Sequence, residues 1–186
     1  MKSAARPLRV GVAGLAALYW PITIARGIAA RSDARLVAFS TLGVGDDEIE
    51  RHLGMRPAEY ARTFGAKPYR DLDDMMGAER LDAVALCTRH TRHARWVERI
   101  APYGADIFVA KTFATTGADA DRIVAAGRKH RVRIAVGPSA RFLPWFAAVR
   151  TAVDAGRIGT PFSLRIAHHH GTLDVFRRGD FYRDSR

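Results

Sequence analysis

The stretch Leu8-Arg-Val-Gly-Val-Ala-Gly14 decides the fold of this chain. Its first six residues form a short, mostly apolar run bounded by turn signals, which predicts a buried β-strand. Gly14 allows a tight turn, and the Ala- and Ile-rich stretch that follows predicts a helix as far as Ala30. Pro21 fits near the start of this helix, where its missing N–H is tolerated. A strand, a glycine turn and a helix together indicate the first unit of a parallel α/β sheet.

The same alternation of strands and helices continues through most of the chain. Strands are predicted at residues 35–39, 83–87, 106–110 and 132–136, with a brief extended piece at 68–69. Helices are predicted at residues 46–53, 58–63, 72–76, 92–101 and 118–130, with Asp46 and Asp71 as caps of the first and third. This spacing predicts the α/β class, with a Rossmann-type doubly wound parallel sheet formed by residues 1–140.

The pattern changes beyond residue 140. A helix is predicted from Pro144 to Ala155, with Gly156 as its C-terminal cap. Residues 162–170 alternate between apolar and polar, which predicts a long strand with one exposed face. We therefore expect residues 141–186 to begin a second, incomplete α+β domain. Its exposed sheet face offers a route to a homo-oligomer.

Composition argues against several classes of function. The formal net charge is +11, but only four of the 30 basic residues are lysines and no dense basic tract occurs. We attribute the charge to an Arg- and Ala-rich compositional bias and expect no nucleic-acid partner. No apolar run approaches the ~18 residues of a membrane span, so no membrane is expected. Cys87 is the single cysteine; it fits a reducing, cytoplasmic compartment and is interpreted as a small packed hydrophobe.

The turn after the first strand is a candidate phosphate site. A dinucleotide turn favours glycine or another small residue at three positions. The window Gly14-Leu-Ala-Ala-Leu-Tyr19 offers Gly14 and Ala16 but places the large Tyr19 third, so an ordinary strand–helix turn remains an equal alternative. Ser40, at the end of the second strand, could bond a cofactor ribose. Because neither an acid nor an arginine accompanies it, the choice between NAD and NADP stays open.

A single cation follows the predicted strand at 106–110. Lys111 lies at the carboxyl edge of the predicted sheet, in line with the glycine turn after the first strand. Ligands bind at this edge in doubly wound sheets. Lys111 is therefore a candidate site residue, and the alternative is a surface lysine at the end of a strand.

Four segments together resemble the Gfo/Idh/MocA oxidoreductases, the family of glucose–fructose oxidoreductase and inositol dehydrogenase. They are Arg9-Val-Gly-Val-Ala-Gly-Leu-Ala16, Leu81-Asp-Ala-Val-Ala-Leu-Cys-Thr-Arg-His-Thr-Arg-His93, Ala110-Lys-Thr112, and Gly137-Pro-Ser-Ala-Arg-Phe-Leu-Pro144 with Asp154-Ala-Gly-Arg-Ile-Gly-Thr-Pro161. In the second segment Thr88 and His93 match the family's Thr-Pro-Asn and its following His, while Arg89 and His90 replace Pro and Asn. The third segment lies at the family's Glu-Lys-Pro.

The resemblance implies NAD(P)-dependent hydride transfer involving a sugar- or polyol-like substrate. Lys111 would be the catalytic residue, orienting the substrate oxygen, and it would also adjoin the cofactor. The other candidate cofactor-binding residues are Gly14, Leu15, Ala16, Ser40, Thr88, Arg89, His93 and Arg141. Residues 14–16 would offer backbone groups to the pyrophosphate at a helix N-terminus. Thr88 and His93 would border the nicotinamide.

Several of these assignments have a purely structural alternative. His93 could be a helix-start histidine with a satisfied ring, and Arg89 could be a solvated loop residue. Arg141 could form a salt bridge at a domain hinge. The run His168-His-His170 supplies only two histidines to one face of a strand, so no metal is expected.

The chain departs from the family at two places. Ala110 and Thr112 stand where the family has Glu and Pro, which removes a polar anchor near the nicotinamide. The family's acid/base His follows a segment resembling Phe181-Tyr-Arg-Asp184, whereas this chain ends at Arg186. We therefore expect a fragment or a truncated enzyme. The alternative is a non-catalytic dinucleotide- or sugar-binding protein on the same fold.

Overall fold

The computed structural model describes residues 6–137 and 139–167. The described residues up to Gly137 form one compact unit, and those from Ser139 onward belong to a second. The assignment of residues 141–186 to the start of a substrate domain stays a prediction.

Within the described residues, the first unit is built on six strands in a single parallel sheet. The strands are β1 (Leu8–Ala13), β2 (Ala34–Ser40), β3 (Lys67–Tyr69), β4 (Ala83–Leu86), β5 (Asp106–Val109) and β6 (Ile134–Val136). Their order is β3-β2-β1-β4-β5-β6, and every neighbouring pair is parallel. The order reverses between β1 and β4, as in dinucleotide-binding sheets. The predicted Rossmann-type α/β fold is confirmed.

Helices alternate with these strands along the chain. They are α1 (Trp20–Ala29), α2 (Asp46–Leu53), α3 (Pro57–Phe64), α4 (Leu72–Glu79), α5 (His93–Ile100), α6 (Gly117–His130) and, in the second unit, α7 (Pro144–Asp154). The core of the first unit includes Met75, Ile100 and Ile123, all fully buried. Each such side chain stabilises the fold by roughly 1.5–3 kcal/mol relative to exposure. In the described ranges, no helix has the length and apolarity that a membrane crossing requires.

Helix α1 begins later than the sequence predicts. The helix expected directly after Gly14 starts at Trp20, with Tyr19 as its N-cap. Leu18 adopts a φ of +55°, a left-handed conformation that interrupts a right-handed helix. The side chains of Leu15 and Ala17 are buried in the turn. The residues just after Gly14 therefore form a packed loop.

Two predicted helix caps have different outcomes. Asp71 caps α4 as expected, because its Oδ1 accepts the Asp73 N–H at 2.7 Å. The expectation for Asp46 is wrong, since Gly45 is the N-cap of α2 and Asp46 is the first helical residue. Its carboxylate favours the helix N-terminus through the helix dipole instead.

The predicted strand at 162–170 is not formed in its described part. Residues 160–167 contain neither helix nor strand, and residues 168–170 lie outside the described ranges. The alternating side chains Phe162, Leu164 and Ile166 are exposed. A strand is stabilised by backbone bonds to a neighbour, and the described residues of the second unit contain no strand that could serve as one. The predicted self-association through a second-domain sheet therefore stays a prediction.

Candidate functional site

Gly14 makes the turn out of β1, and its position excludes a side chain. Its φ is +92°, a conformation open to glycine and rarely to other residues. A Cβ at this position would lie 2.2 Å from the Cys87 carbonyl oxygen and 3.2 Å from Leu42 Cδ1. The Gly14 N–H donates to Ser40 O at 2.8 Å. The turn is therefore fixed between the ends of β2 and β4.

The backbone after Gly14 presents N–H groups at the carboxyl edge of the sheet. Leu15 is buried and Ala16 is half-buried. Within residues 6–137, neither Leu15 N nor Ala16 N donates to a backbone carbonyl. Amides of this kind suit an anion such as pyrophosphate. Because α1 starts only at Trp20, the expectation that residues 14–16 lie at a helix N-terminus is wrong.

Ser40 has a structural role that the sequence did not indicate. The residue is fully buried. Its hydroxyl donates to Arg70 O at 3.2 Å and accepts the Leu42 N–H at 3.1 Å. These bonds hold the loop after β2 against the residue after β3. The buried hydroxyl thus donates once and accepts once within the protein, and its predicted bond to a cofactor ribose stays a prediction.

Lys111 lies two residues beyond β5, on an exposed stretch. Ala110 before it is buried and donates its N–H to Leu86 O at 3.0 Å, which ties the chain to β4. The peptide bond between Lys111 and Thr112 is cis. The buried Ala110 thus places the Lys111 backbone at the carboxyl edge, beside the end of β4.

The loop after β4 carries three half-buried residues, Thr88, Arg89 and His90. Arg89 Nη2 lies 4.0 Å from Glu48 Oε1, so a carboxylate partly offsets its charge. Burial lowers the pKa of His90, as do the nearby His93 and Lys111, although a hydrogen bond to the Lys111 backbone acts in the opposite direction. His90 is therefore neutral at pH 7 and adds no positive charge to this loop.

His93, at the start of α5, is fully buried beneath two loops. Its Nδ1 lies 3.2 Å from Phe113 O and its Nε2 lies 3.1 Å from Thr88 O. Burial lowers the pKa of His93, and hydrogen bonds to the backbone of Phe113, Thr88 and Thr112 offset part of that shift. The neutral ring therefore faces the protein backbone on both sides, which corresponds to the satisfied-ring alternative.

The other residues considered in the sequence are Arg141, Cys87 and the histidines at 168–170. Arg141 belongs to the second unit, where its guanidinium lies 5.7 Å from the Phe142 ring centroid; its cofactor contact stays a prediction. Burial raises the pKa of the Cys87 thiol, so it remains protonated. No group of metal-ligating side chains occurs within the described residues. The run His168-His-His170 lies outside those residues.

Sequence reasoning missed two partners of these loops. Glu48, in the first turn of α2, approaches Arg89, and Phe113 supplies a carbonyl to His93. No local signal identifies Glu48, because it is 41 positions from Arg89 in the sequence. Phe113 contributes through its backbone, and backbone contacts leave no trace in residue type.

Gly14, Thr88 and Lys111 thus follow three adjacent strands, β1, β4 and β5, on both sides of the reversal in strand order. A glycine turn without room for a side chain lies at that reversal. Fold and site together define a Rossmann-type dinucleotide-binding domain.

A family model described as the oxidoreductase family with an NAD-binding Rossmann fold, GFO_IDH_MocA, matches residues 8–138. The chain belongs to this Gfo/Idh/MocA family, and its first unit has the family's NAD(P)-binding Rossmann fold. The predicted resemblance and the predicted cofactor class, NAD or NADP, are confirmed.

Two curated relatives illustrate the similarity. D-apiose dehydrogenase from Paraburkholderia graminis is 39% identical over 108 residues, which cover 58% of this chain and 28% of the relative. Inositol 2-dehydrogenase from Rhizobium meliloti is 33% identical over 167 residues, covering 86% of this chain and 46% of the relative. The chain therefore spans less than half the length of these relatives.

Solved structures agree with the sequence comparison. A putative myo-inositol dehydrogenase from Sinorhizobium meliloti 1021 superposes with a TM-score of 0.68 at 30% identity, covering 82% of this chain and 42% of the other. A probable dehydrogenase from Thermotoga maritima gives a TM-score of 0.70 at 28% identity, covering 83% and 43%. The structural match is again to part of a longer chain.

Proposed function

We propose that this chain forms the cofactor-binding part of an NAD(P)-dependent oxidoreductase that moves hydride between the nicotinamide and a polyol or sugar-like substrate. The observation that carries the proposal is the convergence of Gly14, Thr88 and Lys111 at one sheet edge, after three adjacent strands. This edge is where doubly wound sheets bind dinucleotides.

The residues present fit such a cofactor. Gly14 lets the turn pack closely against the Cys87 carbonyl, where a Cβ would collide, and within residues 6–137 the amides of Leu15 and Ala16 donate to no backbone carbonyl. His90 and His93 are neutral, and Glu48 offsets Arg89. The attraction for the anionic cofactor would therefore come from backbone amides and from Lys111. The bound nicotinamide would supply the hydride acceptor or donor.

Lys111 would act on the substrate oxygen. When a carbonyl is reduced, its carbon would gain hydride from the reduced nicotinamide and its oxygen would develop negative charge. The Lys111 ammonium group next to that oxygen would orient it, offset the charge and donate the proton that completes the alcohol, which leaves a neutral amine; oxidation is the reverse of this step. The exposure of Lys111 leaves its ammonium group accessible to a ligand. Thr88, half-buried on the neighbouring loop, would border the nicotinamide.

The substrate class rests on the relatives. Both curated relatives named above are dehydrogenases, one of inositol and one of D-apiose. An inositol-like polyol or a sugar is therefore the substrate we propose. The alternative of a degenerate, non-catalytic binding protein is not supported by these comparisons.

The test is a titration of the purified chain with NADH and with NADPH, followed by nucleotide fluorescence and by thermal unfolding. We expect saturable binding of at least one nucleotide. At a hundredfold excess over Kd, one-site binding stabilises the folded state by about 2.7 kcal/mol. If neither nucleotide shifts the unfolding transition at millimolar concentration, the proposed function is wrong for this chain.

Matched variants identify the site. Ala16→Asp places a carboxylate beside the proposed pyrophosphate position and should weaken binding at least about tenfold. Ala125→Asp introduces the same charge on an exposed face of α6 and should leave Kd unchanged. Gly14→Asp is unsuitable, because its side chain would collide with the Cys87 backbone and disturb the fold itself. Equal effects of Ala16→Asp and Ala125→Asp would contradict the assignment of the Gly14 turn.

A further inference from the structure

The loops that carry Thr88 and Lys111 follow the neighbouring strands β4 and β5. Backbone pairing holds the two chain segments together at the sheet but does not continue into the loops. At the sheet, the backbone bond from Ala110 N to Leu86 O extends the β4–β5 ladder one step beyond Val109. Further along, the chain after β4 turns into α5, and the chain after β5 continues toward α6. Regular strand pairing thus ends before either candidate site residue is reached.

His93 lies where the ladder stops. One ring nitrogen is 3.1 Å from Thr88 O in the first loop, and the other is 3.2 Å from Phe113 O in the second. The ring is fully buried. Thr88 is itself a candidate cofactor contact, and Phe113 follows Lys111 by two residues. A single side chain therefore lies within hydrogen-bonding distance of the backbones of both loops.

We propose that His93 is a positioning residue that sets the spacing between the Thr88 loop and the Lys111 loop, and thereby the geometry of nucleotide binding. The expected effect on nucleotide binding rests on the proposed function. The contacts between His93 and the two loops do not. His93 does not need to touch the ligand for this role. It acts by donating a hydrogen bond to one of the two carbonyl groups while its ring fills the space beside the other.

A neutral imidazole placed between two carbonyls forms one hydrogen bond. Its single N–H donates to one carbonyl, and its other nitrogen, itself an acceptor, only packs against the second. Burial keeps the ring neutral by lowering the pKa of His93. The ring centroid of the titratable His90 lies 5.9 Å from that of His93, and Lys111 is close enough to His90 to lower its pKa. A buried apolar side chain could fill the same space but could not hold a carbonyl.

Three variants test the bridge. His93→Phe keeps a ring and removes both polar contacts. His93→Asn retains a donor near the Nδ1 position, facing Phe113 O, and His93→Gln retains one near the Nε2 position, facing Thr88 O. Ile100→Val, at the opposite end of the same helix, is the control for general destabilisation of α5.

The readouts are the Kd for whichever nucleotide the wild type binds more tightly and the hydrogen exchange of the amides at 88–90 and 111–113. We expect His93→Phe to raise Kd roughly tenfold and to accelerate exchange in both loops. One of His93→Asn and His93→Gln should restore Kd to within about threefold of wild type, which identifies the carbonyl that accepts the hydrogen bond.

The proposal is overturned if His93→Phe resembles Ile100→Val in both Kd and exchange. If His93→Phe does not fold, the Asn and Gln variants decide: a difference between their Kd values supports the bridge, and wild-type values in both overturn it. If the wild-type chain binds neither nucleotide, the proposed function fails. The exchange comparison then still decides whether His93 connects the loops.

Discussion

The two edges of the parallel sheet are built from different chemistry. At the amino edge, an aspartate precedes or begins a strand and holds the start of the neighbouring strand. Asp82, just before β4, accepts the Arg9 N–H of β1 at 2.7 Å. Asp106, the first residue of β5, accepts the Arg133 N–H at 2.8 Å, just before β6. Guanidinium groups of Arg6 and Arg133 complete the two pairs.

At the carboxyl edge, backbone groups hold the polar side chains. Ser40 and His93 contact backbone carbonyls and are fully buried, and the Gly14 turn fits against the Cys87 carbonyl. This arrangement leaves an exposed lysine, Lys111, beside loops held by backbone contacts. Charge pairs at one edge thus hold the strand starts, while backbone contacts at the other hold a surface suited to an anionic ligand.

The largest effect on stability is expected at the carboxyl edge, for Gly14→Ala. The new Cβ would lie 2.2 Å from a backbone oxygen, which cannot move without shifting β4. It would also require a φ of +92° from alanine. We expect the free energy of unfolding to fall by roughly 4 kcal/mol, measured by urea denaturation with circular dichroism.

Gly43→Ala is the matched control for this prediction. Gly43 also has a positive φ, +78°, but a Cβ there would meet nothing within 4 Å. Only the conformational cost of about 1 kcal/mol should therefore appear. Equal losses in the two variants would mean that steric contact with β4 does not determine the turn.

Much of the fold could be predicted from the sequence, because it depends on local patterns. The apolar run at residues 8–13 gives β1 almost residue for residue, and Asp71 before Leu72 is a local capping signal. The start of α1 could not be predicted. It depends on the left-handed Leu18 and on the burial of Leu15, which are set by packing against the rest of the domain.

For the candidate site, the sequence predicts only which residues follow the ends of the strands. The positions of Gly14, Thr88 and Lys111 after their strands follow from alternation and turn signals. The partners of Ser40 and His93 do not, because each is a backbone carbonyl whose position depends on the tertiary fold. The strand predicted at 162–170 is not formed in its described part. Alternating apolar and polar residues indicate the two faces of a strand, but a strand also needs a neighbouring strand to pair with.

An intermediate effect is expected at the amino edge, and it depends on pH. The guanidinium of Arg6, with the Arg9 N–H, lowers the pKa of Asp82, and Arg133 lowers the pKa of Asp106. Both pKa values are depressed in the folded state. The two carboxylates therefore stabilise the folded state at pH values above the ordinary aspartate pKa of 3.8. This stabilisation is lost as pH falls through their lower folded-state pKa values.

The variants Asp82→Asn and Asp106→Asn test this pH dependence. Each should lower the free energy of unfolding at pH 7 by about 1 kcal/mol, since the side chains are 24% and 31% exposed and solvent weakens the pairs. Each should also flatten the loss of stability below pH 4, measured by urea denaturation across pH 2–7. An unchanged acid limb in both variants would show that the carboxylates do not anchor the strand starts.

The smallest effect on stability is expected for Lys111→Met, although this residue is central to the proposed chemistry. Lys111 is exposed, so its loss should change the free energy of unfolding by less than about 0.5 kcal/mol. Lys129→Met, on the exposed surface of α6, should behave in the same way in denaturation. Only Lys111→Met should weaken NADH or NADPH binding. If Lys111→Met alone lowered the free energy of unfolding by more than about 1 kcal/mol, Lys111 would be part of the contacts that stabilise the carboxyl edge. It would then not be an exposed cation with a purely functional role.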